Sequence, residues 1–274
     1  MSDTTQPAPR SFDLRHLTGP FDVVGDVHGC LDELVELART LGYVEDAEAG
    51  LVHRGGRTMV FLGDLGDRGP ASASTFALAM DMVEHGSALY TPGNHCNKLM
   101  RYLNGRNVQR EHGLGGTIRE VEAREQEEPG FRERLRLFIE GAPLYLWLDG
   151  GLLVVAHGGI KEHMIGRAGS DVRSMVLYGD TTGRTNPDGT PERLDWAQHY
   201  RGAATVVYGH TPVPGPMWRN NTINIDQGCV FGGCLSAVRW PERTTEQVRA
   251  RRHYYTARTP GFIADLLAPS GTEG

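Results

Sequence analysis

The stretch Phe21-Asp22-Val23-Val24-Gly25-Asp26-Val27-His28-Gly29 passes from a short apolar run into a turn bounded by glycines. The apolar run predicts a buried strand, and the glycines permit the tight backbone that would bring Asp26 and His28 together. Apolar side chains then recur at helical spacing over residues 31–41. The segment therefore predicts a strand, a turn with candidate metal ligands, and a helix.

Four further motifs repeat this arrangement, because each comes shortly after a short apolar run. They are Gly63-Asp64-Leu65-Gly66-Asp67-Arg68-Gly69, Gly93-Asn94-His95, His157-Gly158 and Gly209-His210. The carboxyl ends of strands are where open α/β folds place their sites. We therefore expect the polar side chains of these motifs to collect at one edge of a sheet.

Oxygen and imidazole nitrogen atoms make up the ligands that these motifs offer, with no thiolate among them. The candidate metal ligands are Asp26, His28, Asp64, Asn94, His157 and His210. Such ligands suit Mn, Fe, Zn, Co or Ni better than calcium, and we expect two divalent transition-metal ions, with manganese preferred. The Asp64 carboxylate could bridge two ions about 3.5–4 Å apart, and such a pair lowers the pKa of a bridging water so that hydroxide can attack a phosphate ester.

Other residues of the motifs suit contact with the substrate. Arg68 can donate two parallel hydrogen bonds to phosphoryl oxygens. His95 can protonate a leaving oxygen, and Asp67 can orient that imidazole. We therefore expect Arg68, Asn94 and His95 at the substrate phosphate, and His95, Asp67 and Arg68 as catalytic residues.

The motif series GDVHG, GDLGDRG, GNH, AHGG and YGHT resembles that of the calcineurin-like metallophosphoesterases, in their phosphoprotein-phosphatase branch. The resemblance implies an α/β (α+β) fold in which a two-sheet β-sandwich is flanked by helices. It implies that Asp64 is shared between two metals, the first held with Asp26 and His28 and the second with Asn94, His157 and His210. It also implies that Arg68 binds phosphate and that His95 with Asp67 forms a general acid pair.

A narrower resemblance covers most of residues 19–252. Residues 93–99, 105–109, 207–212 and 221–233 look like the phosphatase module of bacterial polynucleotide kinase–phosphatase. This resemblance implies that Asp226 is functionally important, so Asp226 joins the predicted catalytic residues. The sequence departs from eukaryotic protein phosphatases of the branch at Cys96, where those proteins carry glutamate, and it contains no kinase P-loop motif.

The substrate remains open between several hypotheses. The main one is a dinuclear-metal phosphoesterase that hydrolyses phosphomonoesters and 2′,3′-cyclic phosphodiesters of nucleotides or RNA ends. The alternatives are a bis(5′-nucleosyl)-tetraphosphatase, a protein Ser/Thr phosphatase, and a non-catalytic binding module, which the complete ligand set disfavours. Residues 249–255 interleave basic and aromatic side chains that could contact phosphates and bases. The expected partner is a phosphorylated nucleotide or polynucleotide end, and no stable protein partner is indicated.

Composition and length bound the organisation of the chain. Its 274 residues carry a formal charge of −6, which disfavours broad binding to nucleic acid. We expect a disordered leader over 1–18, one metallophosphoesterase domain over 19–258 and a tail over 259–274. No apolar run approaches the roughly 20 residues of a membrane span. The polar leader lacks the core of a signal peptide, so we predict a cytoplasmic protein with no membrane partner.

Periodicity predicts the elements between the motifs. Residues 71–84 are a helix candidate, and the polar faces of residues 117–140, interrupted at Pro129-Gly130, predict a peripheral helical insert near 113–141 that could act as a lid. Strand candidates at 144–148 and 152–156 flank Asp149-Gly150-Gly151, which resembles a hairpin turn. Residues 179–191 are predicted to form a surface loop, and strands are expected at 205–208, 222–225 and 235–240.

Overall fold

Two β-sheets face each other across a buried apolar layer in the computed structural model, which describes residues 11–187 and 189–256. The helices within these residues are α1 (Leu31–Leu41), α2 (Ser72–Glu84), α3 (Asn94–Leu103), α4 (Leu114–Glu127), α5 (Phe131–Glu140) and α6 (Ser170–Tyr178). Among the described helices, none is both long enough and apolar enough to cross a bilayer. The first sequence segment is confirmed as a strand, a turn and helix α1.

The strands are short, and most have three to five residues. In chain order they are β1 (Phe21–Val24), β2 (Tyr43–Asp46), β3 (Gly50–His53), β4 (Thr58–Phe61), β5 (Ala88–Tyr90), β6 (Leu146–Leu148), β7 (Leu153–Val155), β8 (Thr181–Thr185), β9 (Pro191–Arg193), β10 (Thr205–Tyr208), β11 (Met217–Arg219), β12 (Thr222–Asn224), β13 (Asp226–Gln227), β14 (Cys234–Trp240) and β15 (Thr244–Arg249).

Each large sheet has a parallel centre. The first sheet runs β13-β14-β1-β4-β5 with β15 beside β14, and β1, β4 and β5 are mutually parallel. The second runs β11-β12-β10-β7-β6, and β12, β10 and β7 are parallel. Parallel neighbours end at the same edge, so each sheet presents three strand ends to the same region.

Alternation along the strands builds the layers. Val23 and Val60 of the first sheet and Val207 of the second face each other in the layer between the sheets. Their neighbours Val24 and Val206 point outward, where helices and 3₁₀ turns cover them. The side-chain period of two explains why these strands are apolar on both faces. The predicted two-sheet α/β sandwich flanked by helices is confirmed.

The strand predictions hold with shifts of one or two residues. Strands β6 and β7 pair antiparallel across the 3₁₀ turn Asp149–Gly151, as the hairpin prediction requires. Residues 179–191 were expected to be a loop, but they include β8 and reach the start of β9, and together these strands form an exposed two-stranded ribbon. The prediction missed these two strands because the segment is rich in residues that are typical of turns.

Helices α4 and α5 contradict the prediction of a purely peripheral insert. Leu114, Ile118 and Val121 of α4 and Leu135 and Ile139 of α5 are buried in the largest apolar cluster. The interruption at Pro129-Gly130 is confirmed, because α4 ends at Glu127 and α5 begins at Phe131. The charged residues occupy the outer faces only, and the prediction went wrong because they outnumber the narrow apolar stripe.

The first described residues also differ from the predicted leader. Leu14 donates a backbone hydrogen bond to the Trp147 carbonyl, and Phe12 stacks on Tyr145 with ring centroids 4.7 Å apart. Residues 11–18 are therefore held against the second sheet rather than disordered, because their apolar side chains find buried partners there. Residues 1–10 and the tail from 257 lie outside the described residues, and the limits of the domain stay a prediction.

The buried face of α5 provides a test of its place in the core. Leu135→Ala should lower the free energy of unfolding by about 2–5 kcal/mol, because Leu135 is fully buried and its truncation leaves a cavity. Leu137→Ala is the matched control on the same helix, and at 37% exposure it should cost roughly 0.5 kcal/mol or less. Urea denaturation followed by circular dichroism measures both. Equal effects of the two changes would contradict the core position of α5.

Candidate metal centre

The two sheets bring six polar side chains to one place. Asp26, Asp64 and Asn94 come after the parallel strands β1, β4 and β5 of the first sheet. In the second sheet, His157 comes after β7, His210 after β10 and Asp226 after β12. Asp26, Asp64, His157 and Asp226 are buried, while Asn94 and His210 are partly exposed. The structure therefore places all the predicted metal ligands that follow strands within one cluster.

His157 lies at the centre of one group. Its Nε2 atom is 3.1 Å from Asn94 Oδ1, 3.1 Å from His210 Nδ1 and 3.3 Å from Asp64 Oδ2. Ligand atoms of Asp64, His157 and His210 all lie within 4.8 Å of one another, an arrangement that can hold a metal ion. Residues predicted to share one ion are thus neighbours, although 146 positions separate Asp64 from His210 in the sequence numbering.

His28 belongs to a second group on the other side of Asp64. Its Nδ1 atom is 2.9 Å from the Gly66 carbonyl, so Nδ1 carries the proton and donates it, leaving a lone pair on Nε2. That Nε2 atom is 3.8 Å from Asp64 Oδ2. Ligand atoms of His28, Asp64 and His95 also lie within 4.8 Å of one another. Asp64 is common to both groups, which is the position expected of a bridging carboxylate.

Several buried polar atoms of the cluster lack a hydrogen-bond partner among the described residues. They are Asp26 Oδ1, His157 Nδ1 and His210 Nε2. An unsatisfied buried polar atom costs about 1–3 kcal/mol, and more when it is charged. Carboxylate and imidazole atoms that face one another without donors are what divalent cations satisfy. The residues present therefore fit metal ions, and the identity of those ions stays a prediction.

Charges in the cluster are strongly interdependent. Burial raises the pKa of Asp26 to about 6, against the opposing effect of His157. Burial also opposes protonation of His157, but the Asp64 and Asp26 carboxylates overcome it and raise the pKa of that imidazole to about 9. Burial, followed by the charges of His157 and Arg193, lowers the pKa of His210. The charge state of each carboxylate and imidazole in the cluster therefore depends on that of its neighbours.

Arg68 and His95 form the part of the site that would meet a substrate. Arg68 contacts His28 Nε2 and His95 Nε2 through its two terminal nitrogens, each at 2.9 Å. His95 Nδ1 is 2.6 Å from Asp67 Oδ2, so the predicted His95–Asp67 pair is in hydrogen-bond contact. The Arg68 guanidinium lies 5.3 Å from the centre of the Phe231 ring. The catalytic roles of these residues stay predictions.

Thr117 is a site residue that the sequence did not indicate. Its hydroxyl donates a 2.6 Å hydrogen bond to Asp67 Oδ1 and accepts one from the Asp67 backbone nitrogen at 3.1 Å. Thr117 lies in α4, and its hydroxyl is fully buried with Asp67. It fixes the carboxylate that in turn holds His95. No local signal could have found it, because the contact spans 50 residues and depends on the packing of α4.

The backbone of the motifs is held in an unfavourable conformation. Among the described non-glycine residues, His28, Asp64, Asp67, Arg68 and His210 all have positive φ, between 37° and 73°. A left-handed conformation costs a non-glycine residue about 1–2 kcal/mol, and such strain concentrates at functional sites. The surrounding sheets must enforce it.

Two glycines admit carboxylates from neighbouring motifs. A Cβ atom on Gly93 would lie 2.1 Å from Asp64 Oδ1, and one on Gly209 would lie 2.1 Å from Asp26 Oδ2. Both distances are far inside van der Waals contact. The glycine before Asn94 and the glycine before His210 are therefore needed for close approach across the site.

Asp226 lies beside the cluster, as the narrower resemblance implied. One of its carboxylate oxygens accepts a 3.0 Å hydrogen bond from the Gly228 backbone nitrogen. Burial and the nearby Asp26 carboxylate raise the pKa of Asp226 well above its usual value. Cys96 is buried, which raises the pKa of its thiol to about 12, so Cys96 is unreactive as a nucleophile. The functional role of Asp226 stays a prediction.

The basic and aromatic segment 249–255 is tied to the domain rather than free. Arg251 forms ion pairs with Asp32 and Glu36 of α1, and the Tyr254 hydroxyl donates to Glu33 at 2.7 Å. Tyr255 lies 5.9 Å from the Arg68 guanidinium. Because Arg251 is already paired with acidic residues, it is a poor candidate for the predicted contact with nucleic acid. The Tyr255 ring lies at the edge of the site.

Comparison with known proteins agrees with this geometry. A family model described as calcineurin-like phosphoesterase matches residues 19–243. The chain is 49% identical over 243 residues to the asymmetrical bis(5′-nucleosyl)-tetraphosphatase PrpE of Anoxybacillus flavithermus, a match that covers 88% of this chain and 99% of that protein.

Solved structures share the fold. A candidate diadenosine tetraphosphatase is 25% identical with a TM-score of 0.61, covering 87% of this chain and 96% of that chain. A protein serine/threonine phosphatase from Saccharomyces cerevisiae is 15% identical with a TM-score of 0.56, covering 92% of this chain and 86% of that chain. At that identity, the second likeness concerns the fold alone.

Metal removal should destabilise the protein. Treatment with EDTA should lower Tm by roughly 5–10 °C, since binding at 100 times Kd contributes about 2.7 kcal/mol and each kcal/mol moves Tm by about 2–4 °C at this size. Excess Mn²⁺ after removal of EDTA should restore Tm. Differential scanning calorimetry measures both shifts.

His157→Ala should abolish most of this metal-dependent shift and of the hydrolytic activity, because His157 contacts both Asp64 and Asn94. His163→Ala removes an exposed imidazole outside the cluster and is the matched control, expected to keep the full shift. A wild-type Tm that is the same with and without EDTA would contradict metal binding here.

Proposed function

The chain belongs to the calcineurin-like phosphoesterase family, and from this premise we propose that it cleaves bis(5′-nucleosyl) tetraphosphates asymmetrically. It is a hydrolase of phosphate esters. The observation that supports the finer assignment is the 49% identity to an asymmetrical bis(5′-nucleosyl)-tetraphosphatase, a match that includes 99% of that relative's length. The products of the reaction with diadenosine tetraphosphate and water would be ATP and AMP.

This proposal favours the hypothesis that the sequence analysis placed second. Hydrolysis of monoesters and 2′,3′-cyclic phosphodiesters at nucleotide or RNA ends was the main one, and the tetraphosphatase was its alternative. The relative named above favours the alternative, and both share a nucleotide substrate and the same chemistry. The protein-phosphatase hypothesis has only a likeness of fold on its side.

Asp26, His28, Asp64, Asn94, His157 and His210 would hold two divalent ions. When bound, the ions would polarise the phosphoryl oxygens and activate a water molecule for attack. Manganese is the ion that we expect, with Ni, Co, Fe or Zn as alternatives. These assignments rest on the common Asp64 and on the unpartnered atoms of the cluster.

Arg68 would bind the phosphoryl group. In the structure its guanidinium donates to both His28 Nε2 and His95 Nε2. His28 Nε2 would be one of the atoms that hold a metal ion, and Arg68 would then direct its guanidinium away from His28 to an anionic phosphoryl oxygen. Its planar fork matches two such oxygens, and the Phe231 ring beneath it limits its motion.

His95 would act as general acid with help from two residues. Asp67 accepts from His95 Nδ1, and the Thr117 hydroxyl holds the second Asp67 oxygen. The imidazole is thereby oriented with Nε2 toward Arg68. In this contact Nε2 accepts from Arg68 and carries no proton. Once Arg68 has turned to the phosphoryl group, Nε2 would take up a proton from solvent and then donate that proton to the leaving oxygen. Substrate binding to Arg68 would thus make His95 Nε2 able to donate a proton.

A substrate panel tests the proposed function. With Mn²⁺ in excess, kcat/KM for diadenosine tetraphosphate should exceed that for 2′,3′-cyclic AMP, a 3′-phosphorylated oligonucleotide and a phosphopeptide by at least about tenfold, the ratio that 1.4 kcal/mol of differential transition-state binding produces. Anion-exchange chromatography should show ATP and AMP in equal amounts. Two molecules of ADP would indicate symmetrical cleavage, and faster turnover of the cyclic nucleotide would restore the first hypothesis.

The leaving group tests the role of His95. His95→Ala should reduce kcat for an alkyl phosphomonoester by about 10²-fold or more, because an alkoxide needs a proton to depart. Loss on p-nitrophenyl phosphate or diadenosine tetraphosphate should be much smaller, since nitrophenolate and a nucleoside triphosphate leave as stable anions. His199→Ala, an exposed histidine, is the control. Losses of similar size on all three substrates would rule out His95 as the acid.

A further inference from the structure

A large cleft opens directly beside the proposed metal ligands. Its volume is about 950 Å³, and Gly158, Gly209 and His210 of the metal centre form part of its wall. The ribbon of β8 and β9 contributes Arg193, and the segment before β11 contributes the opposite side. Clefts that bind small organic ligands measure about 300–1,000 Å³, so this one has room for far more than the single phosphate held at the metals.

Arg193 is the notable charge in the cleft. Arg193 is exposed, its guanidinium donates to the Tyr178 carbonyl, and desolvation by its neighbours lowers its pKa. No acidic residue in the described part of the chain forms an ion pair with Arg193, whereas Arg219 pairs with Asp195, and Lys161 pairs with Asp180 at 2.8 Å. A guanidinium at a cleft wall without an acidic partner among the described residues is available to the anionic group of a ligand.

The position of Arg193 relates this charge to the metal centre. Arg193 and His210 line the same cleft, and the charge of Arg193 acts on His210. Arg68, by contrast, contacts His28 and His95. The two arginines therefore contact different parts of the site, and only Arg193 belongs to the cleft. A substrate with several phosphates in a row could use both.

The rest of the cleft wall is mixed: Asp180 and Asp195 line it, each paired with a basic residue, beside apolar and aromatic side chains. Leu194 is 49% exposed and Met217 is 67% exposed, and both line the cleft. Trp196 and Tyr208 pack edge to face behind them, with ring centroids 4.9 Å apart. Large apolar side chains that stay exposed beside a charged site mark a ligand surface, and the flat face of a nucleobase suits such a wall.

We propose that this cleft binds one nucleotide half of the substrate, with Arg193 on a phosphate next to the scissile one and with Leu194 and Met217 against the nucleobase. The proposal rests on the proposed function for the identity of the substrate. Its chemistry is more general, because any nucleoside polyphosphate combines adjacent phosphates with a base.

Competitive inhibition of p-nitrophenyl phosphate hydrolysis tests the cleft. ATP carries phosphates and a base, and tripolyphosphate carries phosphates alone. Both are added with Mn²⁺ in excess of the total phosphate ligand. Arg193→Ala should raise Ki for ATP and for tripolyphosphate by about tenfold or more, as loss of a charge-assisted hydrogen bond predicts. Met217→Ser should raise Ki for ATP by about threefold or more and leave that for tripolyphosphate within error, because it removes apolar contact alone.

Matched variants guard against indirect effects. Arg184→Ala removes an exposed arginine of the same ribbon that does not line the cleft, and Leu152→Ser removes a side chain that is 56% exposed elsewhere. Both should leave every Ki at the wild-type value, and all four variants should keep the wild-type Tm. Unchanged Ki values for ATP in Arg193→Ala and Met217→Ser would overturn the proposal, as would equal changes in the controls.

The same measurements distinguish a failure of the cleft assignment from a failure of the proposed function. If the wild type fails to cleave diadenosine tetraphosphate but Arg193→Ala still weakens ATP binding, the proposed function fails and the nucleotide cleft stands. If the wild type cleaves diadenosine tetraphosphate to ATP and AMP while the Ki values do not respond to the two changes, the proposed function stands and the cleft assignment fails.

Discussion

Three parallel strands of each sheet end at the same place, and their ends bring buried carboxylates and imidazoles together. The rest of the structure depends on this constraint. Asp26 and Asp64 are removed from water together with His157, and each changes the charge state that the others prefer. Buried charges of one kind cannot accumulate without cations to balance them. Several of their atoms have no hydrogen-bond partner among the described residues, and such atoms are suited to bind cations.

Holding this cluster in place costs the fold conformational strain. His28, Asp64 and His210 adopt left-handed backbone conformations that side chains ordinarily avoid. The two sheets can enforce them because both the strand before each motif and the layer between the sheets are fully buried. Packing of the strands thus offsets the strain of the loops, and the same packing fixes the positions of the candidate ligands.

The helical layer completes the site from outside. Helices α4 and α5 bury one face in the core, and Thr117 reaches from that face to Asp67. Asp67 holds His95, so the orientation of the proposed acid depends on packing as well as on the motif. The exposed ribbon of β8 and β9 also contributes to the site. Arg193 of this ribbon and the next residue, Leu194, line the cleft together with His210 of the metal motifs.

The two-sheet class was implied by the resemblance of the motif series to a known family. The sequence by itself determined the strand–turn–helix pattern and the residues that gather at the strand ends. It could do so because apolar periodicity and glycine-bounded turns are local, and because the ends of parallel strands must meet at one edge. Only the tertiary structure decided that residues 11–18 are held, that α4 and α5 belong partly to the core, and that Thr117 and Arg193 stand at the site. Those facts depend on contacts between segments tens of residues apart, and no local pattern encodes which distant surface a side chain will meet.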